Sequence, residues 1–391
     1  MKGVIKMFKK GSFKSNGTNT VNIKCSIDIP VSKLELLNKY FGHSRFIYNW
    51  AIDFNTDRYK NNLQQYNFVN LAKELPNLKK VNPFLKEADA TCLQQALQDY
   101  WTTMQHFYQK KCGLPKYRSK HSNQSFRIMN VTNGIRFDGN KIKLGKFGWV
   151  RTKPNQAIPN GTIQSATVKK TKSGKVYVTL TIRRADRIEQ FDKTGKEVGI
   201  DIGISHFTTF SDGTVIEKPN FIKQNEKKKR RLYRQLSKKQ KGSKNREKAK
   251  LKLAKFCGKD ANCREDFLHK LSLDIVREYD LIAVEHLNVK KMLMDNSLPY
   301  SKELHKNIGE LGWYSFISKL KYKSEWYGKT FIQVDTYYPS SQICSCCGYK
   351  NAEVKNLSVR NWICPNCNTA HDRDFNASVN ILNEGKRLLT A

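Results

Sequence analysis

The sequence predicts an α+β protein with two or three domains, and three observations point to this class. The chain has 391 residues, more than a single hydrophobic core usually serves. Apolar residues recur at helical spacing from about 31 to 111 and at every second position from about 126 to 190. Near the C-terminus, four cysteines form two Cys-x-x-Cys pairs, a pattern typical of a bound metal ion.

The charge of the chain restricts its partners. Lys and Arg number 71 against 34 Asp and Glu, a net charge of +37. Such an excess predicts a polyanionic partner such as nucleic acid. No apolar run is long enough to predict a membrane span, and no apolar signal core follows the basic N-terminus. We therefore expect no membrane association and a cytoplasmic, nucleoid-associated protein with reduced thiols.

The N-terminal part begins with a predicted strand and continues as helices. Residues 21–29 alternate apolar and polar side chains, and Pro30 ends this strand. Ser32 fits a helix N-cap, with Glu35 at the capping-box position. Helices then continue to about Lys111. The last of them carries one apolar stripe at helical spacing, typical of a helix-bundle core: Leu93, Leu97, Tyr100, Met104 and Phe107.

A basic loop and a β-domain follow the helices. The segment 113–120 mixes cations with an aromatic ring. Its composition fits a solvated loop as well as a nucleic-acid contact. The side chains that would make this contact are Lys116, Tyr117, Arg118 and Lys120. The period of two from 126 to 190 predicts a small antiparallel barrel or sandwich, and the N-terminal strand should join it, since an isolated strand leaves its edge groups unpaired.

The most basic stretch runs from Lys223 to Lys255. It holds 16 Lys or Arg and two Glu, a net charge of +14, and Gly242 with Ser243 divides it into two helices. Such a run is usually a solvated face, but with so few acids its self-repulsion favours a bound anion. We predict contacts with a nucleic-acid backbone through Lys228, Arg231, Lys238 and Lys241. Two further helices are expected at about 265–279 and 303–327, the second with Gly328 as its C-cap.

Three acidic residues stand where a carboxylate is costly to place. Asp201 lies inside the apolar segment 197–204, and Glu285 ends the apolar run 281–285; both segments predict buried strands. Asp374 lies in the first turn of a predicted helix. A buried carboxylate needs a partner or a cation, and hard oxygen ligands suit Mg²⁺. The three residues therefore predict a metal-dependent phosphodiesterase centre that holds two ions.

Each residue of this centre has an expected role. Asp201 would bridge both ions, Glu285 would bind one and Asp374 the other. Two Mg²⁺ ions, or Mn²⁺ in their place, are the expected cofactors. Arg373 would either touch the scissile phosphate or form a surface salt bridge.

The four paired cysteines predict one structural zinc ion. Cys344 and Cys347 form the first pair, and Cys364 and Cys367 follow after sixteen residues, which is within the range of a zinc ribbon. Four thiolates leave no open position for chemistry. Cys346 is an additional thiol inside the first pair and competes as a ligand.

Three motifs carry a resemblance to a known family. The order Asp, Glu, Asp on strand, strand and helix resembles the RuvC branch of RNase H-like nucleases. Segments 199–203, 284–288 and 371–377, with the four cysteines inserted before the last, resemble the transposon-associated TnpB family, which is related to type V CRISPR effectors. The resemblance implies a RuvC-like mixed sheet with a zinc ribbon, preceded by an antiparallel, wedge-like β-barrel that a helical lobe interrupts.

The resemblance also implies a domain organisation. The barrel would consist of residues 1–30 and 113–195, with a helical recognition lobe inserted at 31–112. The nuclease domain would occupy 196–391. It would contain a basic helical insertion at about 222–280 and the zinc ribbon at about 340–370.

The function implied by the resemblance is that of an RNA-guided DNA endonuclease of a prokaryotic insertion sequence. Its partners would be a guide RNA from the transposon end and target double-stranded DNA. One alternative is a nuclease-inactive, RNA-guided repressor, which should lack one of the three acids. The other is a DNA transposase, whose Asp, Asp, Glu centre would place the Glu last. The sequence does not predict the oligomeric state.

Overall fold

The computed structural model describes residues 20–121, 123–131, 133–154, 158–186, 188–295, 301–356 and 358–390, without the side chains of 154 and 302. Residues 1–19 of the predicted first barrel segment lie outside this range. The chain divides into two compact units, Met1–Arg187 and Ile188–Ala391. Among the described residues, no helix combines the length and the apolar character that crossing a bilayer requires.

A seven-stranded antiparallel sheet forms the basis of the first unit. Its strands are β1 (Thr20–Asp28), β2 (Gln124–Met129), β3 (Ile135–Asp138), β4 (Lys141–Leu144), β5 (Trp149–Pro154), β6 (Gly161–Lys170) and β7 (Val176–Arg184). They stand in the order β2-β6-β7-β1-β5-β4-β3. As predicted, the N-terminal strand joins this sheet, between β7 and β5. In the described part of the chain β2 and β3 do not pair with each other, so the expected barrel is an open, curled half-barrel.

The helices of the first unit lie between β1 and β2 in the chain. They are α1 (Val31–Lys60), α2 (Phe68–Val81) and α3 (Ala90–Tyr108), with a 3₁₀ turn at Pro83–Glu87. The predicted stripe on α3 is buried apart from its last, half-buried member, Phe107. The predicted cap is wrong, because α1 starts at Val31, one residue before Ser32, without a side-chain cap. Glu35 instead forms an ion pair with Lys39 at 3.5 Å.

The second unit contains a five-stranded mixed sheet. Its strands are β8 (Glu197–Ile202), β9 (Thr208–Phe210), β10 (Val215–Ile216), β11 (Leu281–Glu285) and β12 (Thr330–Val334). Their order is β10-β9-β8-β11-β12. The strands β8, β11 and β12 run parallel, whereas β9 and β10 are antiparallel additions. Continuous apolar runs in β8 and β11 fit parallel strands that are covered on both faces.

Six helices accompany this sheet in the described residues: α4 (Asn220–Ser237), α5 (Lys244–Glu278), α6 (Val289–Met294), α7 (Ser301–Leu311), α8 (Trp313–Tyr327) and α9 (Arg373–Thr390). The two helices predicted around 244–255 and 265–279 are one helix, since the single interior Gly258 costs only about 1 kcal/mol. The helix predicted at 303–327 is broken at Gly312, whose φ is +73°. The predicted C-cap at Gly328 is confirmed by its left-handed backbone.

The cysteines belong to a small substructure just before α9. A hairpin of β13 (Asn361–Ile363) and β14 (Ala370–Asp372) follows a 3₁₀ turn at Ala352–Lys355. Its own small core consists of Cys344, Val354, Trp362 and Cys364. Because β14 ends at Asp372 and α9 begins at Arg373, this hairpin leads directly into the helix that carries Asp374.

Candidate active site

The three predicted carboxylates lie at one edge of the sheet in the second unit. Asp201 is next to the last residue of β8, and Glu285 ends β11. In the parallel register of these strands Ile200 stands opposite Val284, so the residues that follow them are side by side. Asp374 lies in the first turn of α9, which packs on β8. The negative charges of Asp374 and Glu285 both act on Asp201, so the structure brings the three acids together.

Two glycines allow α9 to lie this close to the sheet. A Cβ atom built on Gly199 would overlap the carbonyl oxygen of Ser378 and stand 2.6 Å from the backbone nitrogen of Leu382. A Cβ atom on Gly385 of α9 would stand 2.7 Å from the Cβ of Ala283. Any side chain at these positions would therefore push the helix, and Asp374 with it, away from β8 and β11.

Two carboxyl groups of this centre have raised pKa values. Burial, together with the charges of Asp374 and Glu285, raises the pKa of Asp201 to about 8. Burial also raises the pKa of Glu285 to about 7. Both shifts mean that the ionised carboxylates are less stable here than in water. A donor set of three neighbouring carboxylate groups fits a hard divalent cation such as Mg²⁺.

The carboxylates are neighbours but do not form a tight cluster. In the described part of the chain, the four cysteines are the one group of three or more His, Cys, Asp or Glu whose ligand atoms all lie within 4.8 Å of one another. The oxygens of the three acids therefore span a greater distance.

Arg360 is a site residue that the sequence analysis missed. Its Nη1 atom lies 3.2 Å from Oδ1 and 3.4 Å from Oδ2 of Asp374. The residue precedes β13, and its carbonyl oxygen accepts a hydrogen bond from the backbone N–H of Arg373 at 2.8 Å. The sequence gives no local signal for this contact, because Arg360 is one of 71 cations and reaches Asp374 only when the hairpin forms.

Arg373 is buried, and it forms no surface salt bridge in the described part of the chain. Its side chain is only 8% exposed. Nη1 donates to the carbonyl oxygen of Asn356 at 2.8 Å, and Nη2 lies 3.5 Å from Oγ of Ser341. Its positive charge opposes the rise in the pKa of Asp201. The expectation of a surface salt bridge is wrong, because the guanidinium is buried and holds loop backbone.

The four predicted cysteines converge in the structure. Sγ of Cys344 is 3.6 Å from that of Cys367, and Sγ of Cys347 is 3.6 Å from that of Cys364. All four sulfur atoms lie within 4.8 Å of one another. A tetrahedral ion with Zn–S distances of about 2.3 Å needs sulfur separations of about 3.8 Å, so the group fits zinc. Cys346 is exposed and does not belong to the group.

His371 is a neighbour of this cysteine group that the sequence analysis did not single out. Its Nε2 atom lies 3.0 Å from Sγ of Cys344. Its ring packs against Trp362, with the ring centres 4.7 Å apart. A donor in this position stabilises a thiolate and fixes its orientation.

Two buried asparagines join the first cysteine pair to the helix of Asp374. Nδ2 of Asn376 donates to the carbonyl oxygen of Ile343 at 2.7 Å, and its Oδ1 accepts from the backbone N–H of Ser345 at 2.9 Å. Nδ2 of Asn380, one turn further along α9, donates to the same Ile343 carbonyl at 2.6 Å. Asn376 is fully buried and Asn380 nearly so. The position of Asp374 therefore depends on the fold of the cysteine pair.

The predicted basic loop of the first unit is partly occupied by contacts within that unit. The guanidinium of Arg118 lies 3.7 Å from the ring centre of Tyr48 and 3.3 Å from the carboxylate of Asp99. The hydroxyl of Tyr117 donates to Asp53, although the Tyr117 ring is 61% exposed. The other two predicted contact residues, Lys116 and Lys120, are exposed.

The basic helices α4 and α5 pack against each other and leave most of their cations in solvent. Leu232 and Leu253 are buried. The four predicted contact residues are all exposed: Lys228, Arg231, Lys238 and Lys241. Nζ of Lys228 lies 5.3 Å from the ring centre of Phe256 on α5. Because α4 contains only one buried residue, most of its surface is available to a polyanion.

Comparisons with known proteins identify the family. A family model described as "Probable transposase" (OrfB of IS605) matches residues 171–295, and one described as "Cas12f1-like, TNB domain" matches residues 313–381. A protein of Streptomyces pristinaespiralis, named "Putative RNA-guided DNA endonuclease", is 31% identical over 89% of this chain and 85% of its own length. This chain belongs to the TnpB family. The resemblance seen in the sequence motifs is thereby confirmed.

Further relatives of this TnpB protein agree with the assignment. The Escherichia coli (strain K12) protein InsQ, which carries the same description, is 29% identical over 90% of this chain and 89% of its own length. A third family model, described as "Helix-turn-helix domain", matches residues 34–64, which α1 fills as a single helix up to Lys60.

Solved structures share the fold at low sequence identity. A cryo-EM structure of a Cas12f1–sgRNA–target DNA complex gives a TM-score of 0.53 at 15% identity, covering 90% of this chain and 83% of that one. The structure of the mini-RNA-guided endonuclease CRISPR-Cas_phi3 gives a TM-score of 0.50 at 10% identity, covering 94% and 92%. The TnpB chain thus has the fold of small type V effectors, as its motifs predicted.

Proposed function

We propose that this TnpB protein is an RNA-guided DNA endonuclease that cuts phosphodiester bonds at a RuvC-type centre of Asp201, Glu285 and Asp374. The observation that carries the proposal is the meeting of three carboxylates from two parallel strands and a helix at one sheet edge. Burial raises the pKa of Asp201 and of Glu285, and the charges of Asp374 and Glu285 add to the rise at Asp201. Strongly raised carboxylate pKa values of this kind concentrate at functional sites.

The three carboxylates would hold the divalent cations. Asp201, whose pKa both other acids raise, would be shared between two ions, with Glu285 holding one and Asp374 the other. Bound Mg²⁺, or Mn²⁺, would supply Lewis acidity toward the phosphodiester and lower the pKa of an attacking water. Arg360 lies beside Asp374, where its guanidinium would meet a phosphate that approaches the carboxylates.

The cysteine group holds one structural zinc ion in this proposal. Its four sulfur atoms form a closed donor set, and such a set contributes folding free energy rather than chemistry. The hydrogen bonds from Asn376 and Asn380 to Ile343 attach α9 to the backbone of the first cysteine pair. Zinc would thereby support the position of Asp374 without taking part in the cut.

The proposed partners are a guide RNA from the transposon end and target double-stranded DNA. The net charge of +37 supports a polyanionic partner, and the exposed cations of α4 and α5 offer a surface for its backbone. In such systems base pairing to the guide reads the target sequence, and the protein reads only a short adjacent motif. The names of the relatives from Streptomyces and Escherichia support the same assignment.

Neither alternative function is favoured by the site. A guided repressor without cleavage would lack one of the acids, yet all three are present and meet. A transposase centre ending in Glu does not fit, because the last of the three acids that meet is Asp374, in the first turn of α9. A strand-transfer assay with transposon ends separates the second alternative, since an endonuclease gives cut DNA without joined products.

The decisive experiment combines RNA sequencing with cleavage. The RNA that co-purifies with the full chain should be one defined species with transposon-end sequence, and a plasmid with the matching target should be cut in Mg²⁺. Asp201→Ala, Glu285→Ala and Asp374→Ala should each lower the rate at least about 100-fold and still bind the RNA. Glu325→Ala, at an exposed site on α8, is the control. Cutting by any triad variant at the wild-type rate would exclude that residue from the centre.

A further inference from the structure

An open groove runs along α1 in the first unit. Its volume is about 490 Å³, which is within the range of sites that bind small organic molecules. One wall comes from consecutive turns of α1 and the other from the 3₁₀ turn that follows α2. The main lining side chains are His43, Arg45, Phe46, Asn49, Trp50 and Phe84.

The groove presents aromatic rings to solvent. The ring of Phe84 is 41% exposed and stands 5.3 Å from that of Phe46, nearly at right angles to it. Trp50, one turn further along α1, is half-buried and packs on Phe54 at 5.0 Å. The exposed ring of Phe84, with the half-buried Trp50 on the α1 wall, offers a platform for a flat, apolar-faced ligand.

A buried polar atom without a partner lies on the same surface. His43 is only 5% exposed, and its Nδ1 atom has no hydrogen-bond partner among the described residues. Its ring stands 5.4 Å from that of Phe84. Burial lowers the pKa of His43, so the ring is neutral at neutral pH. A buried, unpaired polar atom is costly, and a ligand with a polar edge would remove this cost.

The charges at the groove leave one cation available. Nζ of Lys39 is neutralised by Glu87 at 3.0 Å and Glu35 at 3.5 Å. Asp53 accepts the hydroxyl of Tyr117. Arg45 forms no ion pair with any residue in the described part of the chain. Its guanidinium, with five donors in a planar fork, is suited to a phosphate.

We propose that this groove binds one unstacked nucleotide of a single-stranded nucleic acid. The base stacks on the exposed ring of Phe84 near Trp50, with its polar edge toward His43 and its phosphate at Arg45. This inference rests on the proposed function only in that the protein handles nucleic acid. A flipped base and its phosphate belong to RNA and DNA alike, and the experiment separates the two.

The test measures affinity by fluorescence anisotropy with the full chain. The probes are a labelled mixed-sequence single-stranded RNA, the same sequence as single-stranded DNA, and the corresponding DNA duplex. Phe84→Ala and Trp50→Ala should weaken binding of a single-stranded probe by about 5- to 150-fold, the factor that loss of one stacked base gives. Duplex affinity should stay unchanged. The single-stranded probe with the greater loss identifies whether RNA or DNA supplies the nucleotide.

Matched variants keep the test decisive. Tyr59→Ala removes a ring that is 71% exposed on the same helix but outside the groove, and it should leave every affinity unchanged. Arg45→Gln should lower the affinity for the single-stranded probes although it leaves every aromatic ring in place. Because the Phe84 ring is largely exposed, its removal leaves the core intact. Unchanged single-stranded affinity in Phe84→Ala, or an equal loss for the duplex, would overturn the proposal.

The groove and the proposed function fail in different ways. If the wild-type chain carries a defined RNA and cuts its target while Phe84→Ala binds like wild type, only the groove assignment is wrong. If the wild-type chain carries no defined RNA and cuts nothing, the endonuclease proposal is wrong. Selective loss of single-stranded binding in Phe84→Ala would support the groove even then.

Discussion

Arg360 and Asp374 form an ion pair, with Nη1 of the arginine 3.2 Å from Oδ1 of the carboxylate. The pair links the cysteine hairpin to the first turn of α9. In the proposed centre the guanidinium would offset the negative charge of the scissile phosphate next to the acids. Arg360 therefore belongs among the residues that we expect to act on the substrate.

Replacing Arg360 tests this expectation. Arg360→Ala should lower the rate of plasmid cleavage by about 100-fold, the effect of removing one preorganised donor, and leave RNA binding intact. Lys355→Ala removes an exposed cation from the 3₁₀ turn before the hairpin, and this variant should cut normally. A wild-type rate for Arg360→Ala would restrict the arginine to a structural contact with Asp374.

The close approach of α9 to β8 gives a second prediction. Gly199→Ala should lower the free energy of unfolding by about 1–3 kcal/mol, because the methyl group meets the backbone at Ser378 and Leu382. Cleavage should fall further than stability alone explains, since α9 carries Asp374. Gly309→Ala, whose methyl group meets nothing within 4 Å, should be neutral or stabilising. Urea unfolding and plasmid cleavage measure both effects, and wild-type stability in Gly199→Ala would contradict the packing argument.

The cysteine group gives a third prediction. The full chain should contain one zinc ion, and Cys347→Ser should lower the zinc content measured by elemental analysis. Cleavage should fall with it, because Asn376 and Asn380 bind the backbone of the first cysteine pair. Cys346→Ser is the matched control, since this thiol is exposed and outside the group. If Cys346→Ser lowered the zinc content and Cys347→Ser did not, the ligand assignment would be wrong.

Much of the site can be predicted from local sequence, and the rest depends on tertiary contacts. Asp201 and Glu285 stand out because a carboxylate in an apolar strand is costly without a partner or cation. The cysteines stand out because their spacing alone suits one ion. Arg360 carries no such local signal; it reaches Asp374 across the hairpin. The need for Gly199 likewise appears only when the backbone of α9 is seen against it.

The fold shows the same division. The period of two predicts a strand at 21–29, which the structure shows at Thr20–Asp28. Its place between β7 and β5 follows from the need to pair its edges. Ser32 is not the cap because α1 starts one residue earlier, at Val31. The break at Gly312 has no signal in the apolar pattern, which continues through it, and only its positive φ ends α7. Boundaries thus depend on backbone geometry that composition does not specify.

The exposed cations of α4 and α5 give a fourth prediction, which concerns how they bind. Lysine is a point charge without the planar fork that reads guanine, so these helices should contact backbone rather than bases. Replacing Lys228, Arg231, Lys238 and Lys241 with Gln should flatten the salt dependence of RNA affinity by about 0.7–0.9 log units per decade for each phosphate that is no longer neutralised. The affinity should fall equally for the guide and a scrambled RNA. An unchanged slope would make the helices a solvated face, and a decrease for one sequence alone would indicate base reading.

Lys323 gives the last prediction, which concerns stability and pH. It is only 5% exposed on α8, where Nζ donates to the carbonyl oxygen of His269 at 2.5 Å and to Oγ of Ser272 at 2.8 Å. Burial, with the nearby charge of Lys319, lowers its pKa to about 8 from the ordinary 10.5. Between these two values the folded protein binds fewer protons than the unfolded chain. The contribution of Lys323 to stability is therefore unfavourable below pH 8 and improves as the pH rises toward 10.5.

The expected measurement is a difference between two proteins. Between pH 8 and 10, the free energy of unfolding of wild type relative to Lys323→Met should rise by up to about 1.4 kcal/mol per pH unit. Groups that titrate in both proteins cancel in this difference. Lys321→Met, at an exposed neighbouring position, should show no such trend against wild type. A constant difference between wild type and Lys323→Met across this range would mean that Lys323 keeps its proton in the folded protein, held there by the carbonyl of His269 and the hydroxyl of Ser272.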